Sequence, residues 1–397
     1  MRSLPRILTT SPAWLAGGIC AALLALMSGC GGGVGSGGTG GYVSGPITGF
    51  GSVIVSGVRF DDDAAAVEDG DGARRQRDEL RLGMTVEVEG SAIVSSSTGS
   101  SATASRIRFE SELQGLISLA DLPGSSLWLL GQRVMVDAST VFDSRLSGGL
   151  GGLRAGQGVE VYAVFDSAAA HYRATRIEPW GGLGGLRLRG PLLQIDASAQ
   201  TLRVGGATYS YTGATGVPQG LAVGQYVRLR LAPELTPVPR WVVQSFGTAL
   251  QVLPEAEGVK VEGLISAFTS AASFSVNGRA VDATAASFPS GSASLGAGVR
   301  VLVEGTVRLG VLRATRVSLL SDDQVRDRGF ELIGAISAVN PAQARLTLRG
   351  VEVSTARSDL RFEGGSAADL VVGRSIEVRG GLDLERRTVE AWLIRFR

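Results

Sequence analysis

The chain has 397 residues, 57 of them Gly, with 44% hydrophobic, 19% charged and 6% aromatic residues, two Cys and one His. So few soft ligands exclude a His-rich zinc centre, a four-cysteine finger or an iron–sulfur cluster built from this chain alone, and leave catalysis to carboxylates, hydroxyls or Arg. A formal net charge of +1 at pH 7 supplies no overall field that draws the protein onto nucleic acid or an anionic membrane.

In chain order, residues 1–29 read as an export signal. Arg2 and Arg6 precede an apolar run from Trp14 to Met27 that ends in small residues. That run falls short of the roughly 20 apolar residues a membrane-spanning helix needs. The junction Leu26-Met27-Ser28-Gly29-Cys30 resembles the lipobox of bacterial lipoproteins, with Met27 standing where that family usually has Leu. The resemblance implies that the Cys30 thiol carries a diacylglycerol, that the peptide bond before it is cut and that the new N-terminus is acylated; the alternative is an ordinary signal peptide with an incidental Cys. Cys20 lies inside the apolar run and would leave with it, so no thiol remains for a disulfide or a metal. Three acyl chains exceed the two-signal threshold for stable anchoring. Gly31, rather than Asp, follows the Cys, and in lipoprotein families this implies the outer membrane where the cell has one. Residues 30–44 then form a lipidated Gly-rich tether, whose stretch from Gly31 to Gly41 should span about 18 Å as a flexible coil. Within it, Gly33-x-Gly35-x-x-Gly38 matches a dinucleotide fingerprint only formally, because no strand precedes it and no helix follows.

Beyond the tether the chain repeats itself. A piece of the form Leu-x-x-Gly-x-x-Val-x-Val recurs at Leu80–Val88, Leu153–Val161, Leu221–Leu229, Leu295–Val303 and Leu370–Val378, with glycines 73, 68, 74 and 75 residues apart. A Gly-containing strand precedes each copy, as in Leu113–Leu119 and Val261–Phe268, and a third landmark follows, as in Ala174–Pro179 and Ala314–Leu319. Apolar residues alternate with polar ones, so these are strands with one buried face. Ser56-Gly57, Asn277-Gly278, Gly205-Gly206 and Gly131-Gln132 read as hairpin turns.

About five short strands per unit, without a persuasive amphipathic helix, should curl into a small barrel that removes sticky sheet edges. The expected fold is all-β: a tandem array of five OB-like β-barrels over residues 45–111, 112–181, 182–250, 251–321 and 330–397, the third degenerate. Separate barrels are preferred over a continuous solenoid, with Pro179–Gly185 and Ser321–Gln324 read as connectors. The first unit, Gly45–Val55 with Gly57–Phe60 and Leu82–Gly90, resembles the bacterial domain-of-unknown-function family 5666, found singly or in tandem in exported lipoproteins. The resemblance is sharp for units one, two and four and weaker for the third, where Pro237 and Pro239 interrupt. It implies a fold and an envelope address, and transfers no catalytic residue.

Candidate chemistry is sparse. Asp61–Asp63 with Glu68–Asp71 offers clustered oxygens, yet the twelfth position of a calcium loop falls on Leu80 or Gly72; a solvated loop facing Arg74–Arg77 is the better reading. His171 sits at a hairpin tip with no Ser nucleophile and acid arranged around it. Glu87, Glu89, Glu160, Glu304 and Glu377 alternate with core positions and so mark the wet face rather than glycosidase pairs. Trp128, Trp180, Trp241 and Trp392 read as core-sealing before sugar-stacking residues, and Lys260 is the only lysine. The expectation is a non-enzymatic cell-envelope lipoprotein with no cofactor, held at the membrane through Cys30 and serving as an interaction or scaffold module without nucleic acid. The alternative is a binding protein for cell-surface polysaccharide or a metal ion.

Overall fold

The computed structural model describes residues 40–397 apart from 98, 147, 183–184, 235–239, 248–252 and 383–387. The export segment, Cys30, most of the Gly-rich tether, and Pro237 and Pro239 lie outside the described residues. The described chain folds into five closed β-barrels. In barrel 1 the strands are Gly41–Phe50, Val53–Val55, Val58–Asp61, Thr85–Gly90 and Gly99–Phe109. The first pairs with the second and the second with the third; the third runs parallel to the fifth, which pairs with the fourth, which returns to the first. The same 1-2-3-5-4-1 closure recurs in barrel 2, from Leu113–Asp121 to His171–Pro179, and in barrel 3, from Leu186–Asp196 to Arg240–Phe246. Barrel 4 repeats it from Ala256–Ser270 to Val311–Leu319, and barrel 5 from Phe330–Asn340 to Val389–Phe396. This is the OB-type order expected from the repeats, and it holds for the degenerate third unit as well.

Alternation builds each core. Val86 and Val88 point inward while Glu87 and Glu89 point out, and each large aliphatic or aromatic side chain so buried contributes about 1.5–3 kcal/mol. Ser56-Gly57 and Asn277-Gly278 both take positive φ, at 47° and 75° and at 48° and 79°. Two such residues in succession form the hairpin turn whose twist matches the flanking strands. In barrel 2 the turn is Leu130-Gly131, one residue earlier than the sequence indicated, because Gln132 already pairs with Leu129. The recurrent Gly of Leu-x-x-Gly is left-handed in all five copies, with φ from 78° to 91° at Gly83, Gly156, Gly224, Gly298 and Gly373. A side chain there is strained whatever space surrounds it.

The barrels are closed but not separate. Gly41–Ser44 runs parallel to Gly258–Val261 of barrel 4, and Gly49–Phe50 parallel to Glu331–Leu332 of barrel 5. Barrels 2 and 3 join through Leu113-Gln114 against Arg187-Leu188. One hydrophobic cluster spans the interiors of barrels 1 and 5 and another those of barrels 2 and 3. Residues 41–44, expected in the tether, are therefore strand. Leu80, Leu82 and Met84 in the turn of barrel 1 share a buried cluster with Val141 and Tyr162 of barrel 2, and Arg176 donates to the Leu82 carbonyl at 3.2 Å. Ser321–Gln324, expected as a plain connector, caps a short helix, Asp322–Arg328. The Ser321 hydroxyl accepts from the Gln324 amide at 3.1 Å and the Gln324 side chain accepts from Ser321 N–H at 2.9 Å.

Two glycines separate backbone strain from docking. A Cβ at Gly83 would stand 2.4 Å from the Thr175 carbonyl oxygen of barrel 2, whereas one at Gly373 meets nothing within 4 Å. Gly373→Ala should cost about 1 kcal/mol through φ alone and Gly83→Ala about 2–3 kcal/mol. Urea denaturation of the two variants checks this difference, and equal losses would refute the docking contribution.

Candidate functional site

Four barrels turn charged outer faces toward one another around a cavity of about 80 Å³. That space holds a few waters rather than an organic substrate. Barrel 1 contributes Glu87 and Glu110, barrel 2 Glu112, barrel 3 Arg189 and Tyr226, and barrel 4 Arg279. Arg279 donates to Glu87 and lies 5.6 Å from the centre of the Tyr42 ring. Arg189 approaches Glu112 at 3.3 Å and Glu110 at 3.8 Å, with Tyr226 at 6.0 Å beneath its guanidinium. Glu110 also takes Arg228 of barrel 3 at 2.5 Å. Beyond it, Asp71 from the acidic loop of barrel 1 reaches Arg228 and Arg230, each at 3.1 Å, and Arg187 at 3.8 Å.

Burial and charge compete at each group. Burial pushes the Glu87 carboxyl up, but Arg279, Arg189 and Arg108 outweigh it and hold the group below its ordinary range. For Asp71, Arg228, Arg187 and Arg230 likewise overcome desolvation and lower the pKa. Glu112 goes the other way: burial dominates the pull of Arg189 and the hydrogen bond from Ala163 N–H, raising the carboxyl to about 7. Burial also pushes the Tyr226 phenol up. Removing one partner of such a desolvated pair typically costs about 3–5 kcal/mol because the other charge stays buried. The node therefore joins barrels 1 to 4 electrostatically.

The residues singled out from sequence fall as follows. Arg77 pairs with Asp62 and Asp63, and Arg75 with Asp69, so the basic run does face the acidic loop. Asp71 leaves that loop for barrel 3, which the sequence reading missed. The repeated glutamates are not a uniform wet face: Glu377 is fully buried, Glu87 lies at the node, and the Glu160 carboxyl is raised by burial. His171 is half-buried, with Nε2 4.0 Å from Asp166, rather than an exposed tip, and burial lowers its pKa. Trp128, Trp180, Trp241 and Trp392 are half-buried, and Trp241 packs against the core of barrels 2 and 3. Arg189, Arg279 and Glu112 were not found from sequence. The outer-face charge does reverse between units at one register, Glu87-x-Glu89 in the first and Arg228-x-Arg230 in the third, but that reversal does not point to these three residues. Among the described residues no group of three or more His, Cys, Asp or Glu is placed to hold a metal ion.

Glu112 gives a pH signature. Its folded pKa of about 7 exceeds the unfolded value of about 4.3, so the folded chain keeps a proton that the unfolded chain releases. The associated stability is complete below about pH 4.3 and is lost as pH rises through about 7, a change of roughly 3–4 kcal/mol. Glu112→Gln keeps an acceptor for Ala163 N–H without ionising. Melting temperatures at pH 5 and pH 8 should therefore lie closer together in the variant than in the wild type; an unchanged gap would exclude Glu112 as its source.

Four segments, residues 41–108, 114–178, 262–318 and 333–391, match the family described as Domain of unknown function (DUF5666). They correspond to barrels 1, 2, 4 and 5. No curated protein matches the chain. Among solved structures, "drosophila Unr CSD456" is similar at 15% identity over 53% of this chain and 97% of that one, with a TM-score of 0.15. With its matched segments each closing into a barrel of the same strand order, the chain belongs to the DUF5666 family.

Proposed function

We propose that the chain is a lipid-anchored, non-enzymatic scaffold or interaction module of the bacterial cell envelope, seated at the outer membrane. The observation that carries the scaffold reading is the joining of barrels by shared strand pairing, Gly41–Ser44 to barrel 4 and Gly49–Phe50 to barrel 5. An array fixed this way presents several outer faces in constant relative positions, which suits a platform better than a flexible string of modules. The address rests on the lipobox-like Leu26–Cys30 followed by Gly31. No helix among the described residues is long and apolar enough to cross a membrane, and a lipid on Cys30 makes attachment independent of one.

A second reading, recognition of an acidic cell-surface glycan, is favoured by a groove lined with arginines between barrels 1 and 5. The two readings are compatible, since a platform can carry a ligand site. Cys30→Ala, or treatment with globomycin, should abolish lipid labelling and move the protein out of the membrane fraction. Fractionation unchanged by either would overturn the anchor.

A further inference from the structure

Where the Gly51-Ser52 turn of barrel 1 meets barrel 5, an open groove of about 620 Å³ is lined by Arg59, Arg379, Arg395 and Arg397. The volume lies within the range of small-ligand sites, about 300–1,000 Å³. Glu377 sits beneath the guanidiniums, fully buried. It accepts from Arg379 Nε at 3.0 Å, from Arg395 Nη1 at 3.2 and 3.3 Å, and from Arg397. Glu331 takes Arg59 and lies 3.6 Å from Arg379. Burial pushes the Glu377 carboxyl up, and the surrounding Arg397, Arg379 and Arg395 bring it below its ordinary range, so it stays ionised.

Arg379, Arg395 and Arg397 are thus fixed from behind by the buried Glu377, and Arg59 by the half-buried Glu331, while each keeps a solvent face. The side chains of Arg59, Arg379, Arg395 and Arg397 retain 35%, 46%, 39% and 49% exposure. A planar five-donor cation held this way has already lost much of its rotamer freedom, and its remaining N–H groups match carboxylate or phosphate oxygens. Binding is then preorganised. Of the nearby carboxylates, Glu363 reaches the solvent side: it is half exposed and accepts from Arg395 Nε at 2.6 Å. It occupies a donor that an incoming oxyanion would use.

We propose that this groove binds a ligand bearing several oxyanions, with an acidic, uronate-type glycan as the class it fits. This deepens the glycan reading above and is independent of the lipid anchor. Single-stranded nucleic acid is recognised largely through aromatic stacking platforms, whereas the groove is lined by arginines, a glutamate, glycine, serine and isoleucine.

The test is titration calorimetry on the full chain, purified in detergent, with inorganic phosphate and with trigalacturonate at low and high salt. Trigalacturonate should bind, more weakly as salt rises. Arg379→Gln/Arg397→Gln should weaken binding about tenfold or more, the scale of losing charge-assisted hydrogen bonds. Because that variant strips partners from a buried carboxylate, the exposed Glu363→Gln provides a second arm, and it should tighten binding by about threefold. Phosphate binding without trigalacturonate binding, sensitive to both variants, supports an oxyanion site and removes the uronate source. No binding of either probe at millimolar concentration overturns the proposal, as does binding indifferent to both variants. Preference for a single-stranded oligonucleotide of equal charge overturns the ligand class. Cys30→Ala fractionation reads the anchor and not this site, so the two failures are distinguishable.

Discussion

A small barrel has an outer face as well as an inner one, and an array that brings barrels together must desolvate parts of those outer faces. That constraint shapes the molecule. Inward positions are filled by aliphatic and aromatic side chains in every unit, as barrel closure alone requires. The outward positions differ between units: Glu87 and Glu110 in barrel 1 face Arg279 of barrel 4 and Arg189 and Arg228 of barrel 3. Charges that in a lone barrel would merely keep it soluble become complementary contacts here.

Such contacts supply orientation more than stability. A desolvated ion pair roughly balances its dehydration, while a mismatched neighbour leaves a buried charge without a partner. Hydrophobic continuity between barrels 1 and 5 and between barrels 2 and 3 supplies cohesion. The node at Glu112 then fixes which barrel faces which. Glu112 itself is the one carboxyl of the node raised toward neutrality, because it is buried more completely than the arginine beside it can offset.

The repeat was legible because closure imposes it locally. The left-handed glycines after Leu80, Leu153, Leu221, Leu295 and Leu370, the Ser56-Gly57 and Asn277-Gly278 turns, and the alternation in Val86–Glu89 each answer to backbone geometry within a few residues. Even the degenerate third unit kept enough of this to be read as a barrel. The contacts between units were not legible, because they pair residues far apart in sequence and depend on which outer faces meet. Glu377 looked like a solvent-facing strand residue by alternation; it is buried, and three arginines of its own barrel pair with it. Asp71 looked like part of a self-contained acidic loop until barrel 3 placed Arg187, Arg228 and Arg230 around it. Alternation tells inside from outside, and says nothing about what covers the outside.

The first strand of barrel 1 carries a consequence for how the chain assembles. It closes barrel 1 by pairing with Thr85–Gly90, within the first unit, yet the same strand also pairs Gly41 with Gly258 and Gly49 with Glu331. Loop-closure entropy for such distant partners is met late and slowly. Barrel 1 can thus form while its outer backbone groups still wait for barrels synthesised hundreds of residues later. Until then the strand exposes hydrogen-bonding edge that any extended peptide can occupy. Among the described residues the first strand to be synthesised is thus one of the last to be fully satisfied, so order of synthesis and order of completion run in opposite directions.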